Sequence, residues 1–189
     1  MILRDISNRY VEMSVVAETV TEEEQLVAEL ELLGIGYLSR QTNYRPDRVR
    51  PHESLLVDLI RQPSARVRAT VIAVLLSHPE DAEIVPAALE HLCHSEQLTL
   101  RFFYTAAMLL QKEYSGQLQP FVSSRWQWLP DLFSMELGVP ADGTPRNRLA
   151  ALGREHQRQT GLTVNWVGTY ENVVKKLLRH CELVSQWSQ

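Results

Sequence analysis

Apolar residues recur along this chain mostly at three- and four-residue intervals, and the runs are closed by glycine or proline, the pattern of amphipathic helices. Thr21, Glu22, Glu23 and Glu24 have the form of a capping box: the Thr21 hydroxyl can accept from the Glu24 amide, and the Glu24 carboxylate can reach back to the Thr21 amide. Leu26, Leu30 and Leu33 follow at helical spacing, and Gly34 stands where a left-handed terminal residue is wanted. A helix over residues 22–33 is predicted. Leu55, Leu56, Leu59 and Ile60 form a second stripe, between Pro51 at a helix start and Pro63. Ser64 can cap a third run, in which Val67, Val71, Val74 and Leu75 share a face. His78-Pro79 stops it, because a residue before proline is pushed out of the α region. Asp81 is read as the start of the next helix, carrying Ile84, Ala88, Leu89 and Leu92, with Pro86 in its early part. Ser95 is read as the start of another, burying Leu98, Phe102, Thr105, Ala106, Leu109 and Leu110.

Elsewhere the pattern is weaker. Residues 10–20 are rich in Val and lack a breaker; they read as helix rather than strand. Residues 39–51 hold two prolines and four arginines and read as loop. Residues 116–143 are less regular, with a short helix expected over 131–137, ended by Gly138 and Pro140. Thr144 and Pro145 open a mostly polar helix that Gly161 stops near Thr160, with Leu149 and Leu152 as its apolar edge. Thr169 is read as the cap of the last helix, whose stripe is Val173, Val174, Leu177, Leu178, Cys181 and Val184. Lys175, Lys176, Arg179 and His180 gather towards its end, as the macrodipole favours.

A shift of 33 residues lays Val67-Arg68 over Leu100-Arg101, Ala73 over Ala106, Leu75 over Met108 and Leu76 over Leu109. The same shift brings Leu56 to Leu89 and Leu59 to Leu92. Such a period marks units whose apolar faces are covered only by their neighbours. The spacing Val67-Arg68…Ala73…Leu76 resembles the second helix of HEAT and armadillo repeats, over about residues 51–112. Ser64-Ala65 replaces the Asp usual in the turn of that family. The expected architecture is all-α: antiparallel helix pairs, HEAT-like or an irregular bundle. Residues 1–115 form the N-terminal helical region with its pairs at 51–112, and residues 116–189 a C-terminal helical extension packed on it in one compact domain.

Composition narrows the function classes. With 44% hydrophobic and 22% charged residues, the chain can bury a core and is far from a disordered composition. A net charge of -4 argues against nonspecific coating of nucleic acid. The longest apolar stretches fall short of the roughly 20 residues a membrane span needs. Cys93 and Cys181 support no disulfide framework, and MILRDISNRY lacks the pattern of a signal peptide, so a cytoplasmic protein with reduced thiols is expected. Charge is nonetheless uneven. Residues 11–39 hold seven Glu and no Lys or Arg, whereas residues 40–68 hold seven Arg against three acids. That bipolarity is either two solvated faces or a surface for a charged partner.

Candidate chemistry is sparse. His91, Cys93 and His94 lie close in sequence, but on a helix Cys93 points away from the two histidines and is expected in the core beside Leu89 and Leu92. Zinc needs three or four converging ligands, so no metal or other cofactor is expected. HEPN nucleases place an Arg a few residues before a His; here Arg45 precedes His52 with six residues between and Arg48 with three, which resembles that motif and implies phosphate chemistry on a loop. HEAT-like DNA glycosylases use cationic concave faces, which this net acidic chain lacks. No nucleophile elbow, phosphate loop or dinucleotide fingerprint occurs, and no catalytic residue is assigned. Trp126 and Trp128 flank Gln127, so one ring is expected inward and one outward, where it could anchor an interface.

These observations predict a non-enzymatic protein-binding module with Glu22, Glu23, Glu24, Arg45, Arg48, Arg50, Trp126 and Trp128 as partner-binding residues. The segments PDLFSMELGVP and NWVGTYENVVKKLL resemble small bacterial helical proteins. That resemblance implies an antitoxin-type role, neutralising a nucleotidyltransferase-type toxin whose cationic site the acidic segment would cover. The alternative is an RNA- or DNA-acting factor using the Arg45–His52 loop.

Overall fold

In the computed structural model, residues 20–38, 44–122 and 125–187 are described, and every regular element among them is helical. The expectation for residues 10–19 lies outside the described residues. Helix α1, Glu22–Leu32, starts on the capping box: Thr21 N–H donates to Glu24 Oε2 (2.8 Å) and Glu24 N–H to Thr21 Oγ1 (3.2 Å). It ends in a Schellman motif. Gly34 takes φ +80°, its N–H donates to Glu31 O, and Ile35 N–H donates to Leu30 O.

Helix α2 spans His52–Arg61 and buries Leu55, Leu56, Leu59 and Ile60. The run after Pro63 is divided into α3, Ala65–Arg68, and α4, Thr70–Ser77, where one helix was expected. The break falls where the Thr70 hydroxyl donates to Val67 O at 2.6 Å, a back-bond that distorts helices. Asp81 does not open a helix. It is buried in a 3-10 turn, Pro79–Glu83, its carboxylate taken by His52, and α5 covers only Val85–Glu90. Helix α6, His94–Glu113, starts one residue before the expected Ser95. Its N-cap is Cys93, exposed rather than in the core, and Cys93 N–H donates to Glu96 Oε2 at 2.9 Å.

Helix α7, Ser115–Val122, is followed by a segment with no helix over 131–137, only a turn closed by Leu137 N–H to Phe133 O and Val139 N–H to Ser134 O. The reason is nonlocal. Asp131, the expected first residue of that helix, accepts from Ser134 N–H and also from the buried guanidinium of Arg148, which binds Pro140 O as well. Arg148 comes from α8, Pro145–Thr160, which has its expected bounds: Thr144 Oγ1 accepts from Asn147 N–H, and Gly161 takes φ +68°. Helix α9, Trp166–Trp187, begins before the expected Thr169; Asn165 Oδ1 caps it by accepting from Gly168 N–H, and Thr169 donates back to Asn165 O.

Helix α6 organises the body. Every residue from Phe102 to Gln111 is buried, so this stretch is covered all round. It packs against α4 and α8, while α2 lies on α5, and α9 lies against α4, α6 and α8. One connected cluster of buried apolar side chains runs from Leu26 in α1 to Leu178 in α9. No helix among the described residues is long and apolar enough to cross a membrane.

Candidate functional site

Four helices leave a groove between them. The end of α1 contributes Leu33 and Gly34, α4 contributes Leu76, α7 contributes Leu118 and Phe121, and α9 contributes Leu177, Cys181 and Val184. The groove encloses about 360 Å³. Among the described residues that line it, Arg125 and His180 are the basic ones and none carries a carboxylate. The α9 stripe explains its origin: Val173, Val174, Leu177 and Leu178 are buried in the body, and the stripe continues through Cys181, half-buried against the core, to Val184, which is 48% exposed. Phe121, Leu183, Val184 and Trp187 are exposed apolar residues on the same α7 and α9 ends.

The groove's polar rim is built rather than incidental. His180 Nε2 accepts from Gly36 N–H at 3.2 Å, which fixes the imidazole and ties α9 to the turn after α1. Arg125, 51% exposed, donates to His78 Nδ1 at 2.9 Å, and Glu80 lies 3.9 Å from the same guanidinium. His78 meets His52 edge to face, with ring centroids 5.3 Å apart. His52 Nδ1 in turn lies 2.8 Å from both oxygens of buried Asp81. Burial pushes the Asp81 carboxyl up, and the His52 hydrogen bond only partly offsets it. The chain of contacts therefore runs from the groove's edge to the start of α2.

The residues singled out from sequence separate into distinct environments. Glu22 is exposed and Glu23 half-buried, both at the solvent-facing start of α1. Glu24 is held by the capping box, and the Thr21 backbone and side-chain hydrogen bonds lower its pKa. Arg45 and Arg48 are exposed on the loop. Arg50 is half-buried: its guanidinium binds Glu29 at 2.8 Å and Asp58 at 2.5 Å, and its backbone N–H also donates to Glu29. Burial pushes Glu29 up, but the hydrogen bonds and charge of Arg50 outweigh it and leave its pKa lowered. Trp126 packs on the core and Trp128 is 55% exposed, the two rings edge to face at 5.3 Å. Their segment hangs on α6: Gln111 donates to Gln127 O and accepts from Leu129 N–H, and Tyr104 donates to Pro130 O.

His91 pairs with Glu53 at 3.1 Å, away from Cys93. Among the described residues, no group of three His, Cys, Asp or Glu side chains is placed to hold a metal ion. His156 follows Glu155 in REHQRQ, which lacks the second histidine of a zinc-protease helix, and it is a core residue. Its ring stacks on Phe102 (4.0 Å) and Trp166 (3.6 Å), and Nδ1 lies 2.5 Å from Tyr170 Oη. Burial lowers its pKa to about 3, so it is a neutral packing element. The groove also escaped the sequence, because its walls are ordinary stripe residues from four helices. No protein-family model, curated protein or solved structure matches the chain.

Proposed function

We propose that this chain is a non-enzymatic protein-binding module, and that the groove between α1, α4, α7 and α9 receives an apolar, acid-bearing segment of its partner. The observation that carries this reading is the groove lining: apolar walls from four helices, the Arg125 guanidinium at the rim and, among the described residues, no carboxylate in the lining. A buried apolar anchor beside a complementary charge is the usual composition of an interface hot spot. The groups best suited to chemistry are meanwhile engaged inside the protein, Arg50 by Glu29 and Asp58 and His156 within its aromatic stack. In this proposal the stacked helix pairs around α4 and α6 act as a HEAT-like frame. Glu22 and Glu23 suit a cationic partner of the nucleotidyltransferase-toxin class.

The test is co-purification from the native cell, wild type against a Phe121→Glu/Val184→Glu variant. The expected result is a protein that is lost with the variant and that, once identified and purified, binds the wild-type chain. The same set of proteins eluting from both would overturn the reading.

A second reading draws on one observation. Asp81 occupies Nδ1 of His52, whose side chain is 30% exposed, and such a carboxylate orients an imidazole for acid–base work at Nε2. With Arg45 and Arg48 exposed on the preceding loop, this supports an RNA- or DNA-acting factor.

A further inference from the structure

We propose that His78 is a proton-operated latch on Arg125: its bare Nδ1 holds the guanidinium at the groove's rim, and a proton taken up there releases Arg125 and binds Glu80 instead. The latch governs the charge that the rim presents, and that consequence rests on the groove reading above.

Hydrogen-bond accounting is the first argument. A guanidinium keeps its protons and has no acceptor, so the 2.9 Å contact from Arg125 requires His78 Nδ1 to be unprotonated. The ring proton is then on Nε2, which faces Leu33 O at 3.5 Å. His52 carries the opposite tautomer, because its Nδ1 donates to the Asp81 carboxylate at 2.8 Å. Two rings with centroids 5.3 Å apart thus hold their protons on opposite nitrogens.

A ready second state is the other argument. Glu80 Oε1 stands 3.5 Å from His78 Nδ1 and 3.9 Å from Arg125, and Glu80 Oε2 is buried with no hydrogen-bond partner among the described residues. A proton on Nδ1 ends the Arg125 bond, sets cation against cation, and gives Glu80 a donor. One proton comes from solvent, and one hydrogen bond replaces another. His78 itself is buried. Around it stand His52 from α2, Glu80 and Asp81 from the 3-10 turn, Arg125 from the segment after α7, and the Leu33 carbonyl from α1. His180 of α9, also in the groove lining, has its own partner in Gly36 N–H, so the Gly36 amide reports its titration separately. Imidazole is the side chain whose charge changes between pH 5 and 8.

The test is side-chain nitrogen NMR on the uniformly labelled full chain, from pH 8 to pH 5. At pH 8 the expected protons are on His78 Nε2 and His52 Nδ1. As the pH falls, His78 gains a proton on Nδ1, and the Arg125 guanidinium signals move to free-arginine positions in the same step. Glu80→Gln should lower the midpoint of that step by roughly half a pH unit, the usual reach of a half-exposed ion pair. His78→Gln, which keeps an uncharged acceptor for Arg125, should leave the Arg125 signals in place throughout. A proton on His78 Nδ1 at pH 8, no uptake by pH 5, an unshifted midpoint in Glu80→Gln, or Arg125 signals that move alike with and without His78 would each overturn the proposal. The tautomer is read on the wild type and needs no folded variant. No partner is needed either, so the two readings fail separately. A missing latch leaves capture through Phe121 and Val184 standing, and an intact latch with unchanged capture sinks only the partner groove.

Discussion

The Gly36 N–H donates to His180 Nε2 across 144 residues of sequence, and this one bond closes the turn after α1 onto the last helix. The approach is tight enough that a Cβ on residue 36 would stand 2.7 Å from His180 Cε1. Gly36→Ala must push the imidazole away. The expected cost is about 1–3 kcal/mol, the usual range for overpacking, read as a lower urea midpoint at unchanged m-value. Gly36→Ala with His180→Ala should recover part of it.

Acid should destabilise the fold through His156. Its folded pKa of about 3 lies below the ordinary imidazole value, so the unfolded chain takes up the proton first as pH falls. Stability contributed by the neutral ring is intact above about pH 6.5 and falls by about 1.4 kcal/mol per pH unit as the pH drops from there towards 3. Urea titrations at pH 7, 6 and 5 on wild type and His156→Phe check this. The wild type should lose stability relative to the variant across that window, and parallel curves would contradict it.

Arg148 binds Pro140 O, Asp131 and Ser134 while itself buried. Burial pushes the Asp131 carboxyl up, but its hydrogen bonds with Arg148 and Ser134 leave it lowered. Arg148→Met strands that carboxylate and the Pro140 carbonyl, at an expected cost of about 3–5 kcal/mol in thermal or urea unfolding. Arg148→Met/Asp131→Asn should cost less than Arg148→Met alone.

Charge reversal at the start of α1 separates folding from recognition. Glu24→Lys removes half of a capping box and should cost about 0.5–2 kcal/mol. Glu22→Lys/Glu23→Lys leaves the cap in place and should lower stability by less than about 1 kcal/mol through the helix dipole alone. If α1 recognises a cationic partner, the second variant weakens binding steeply and salt weakens it further. Undiminished binding removes that role.

The nucleic-acid reading is expected to fail a direct assay. Labelled RNA and duplex DNA should remain intact with wild type and with His52→Ala alike. Cleavage that His52→Ala abolishes and Asp81→Asn reduces would instead place the acid–base pair in a catalytic role.

What the sequence revealed was local. The Thr21 box, the Thr144 cap and the Gly34 and Gly161 terminators each use partners within a few residues, so α1 and α8 were legible to within a residue at each end. Where two polar residues compete, spacing alone misled: Asn165 and Thr169 both suit a cap, and the earlier one takes it. Asp81 and Asp131 failed as helix starts for one shared reason. Each carboxylate is claimed by a distant side chain, His52 on α2 and Arg148 on α8, and no periodicity records that. Trp126 and Trp128 divided inward and outward, on a segment that Gln111 and Tyr104 tie to α6. The groove needs four helices in place, and no single stripe announces it.

The complete enclosure of α6 from Phe102 to Gln111 bears on how such a chain comes into being. During synthesis at about 5–20 residues per second, this helix leaves the ribosome seconds before Leu149, Leu152, Tyr170 and Val174, which cover it. For that interval its greasy circumference is half bare. A nascent chain paused near residue 115 should bind chaperones, and one released there should precipitate rather than fold.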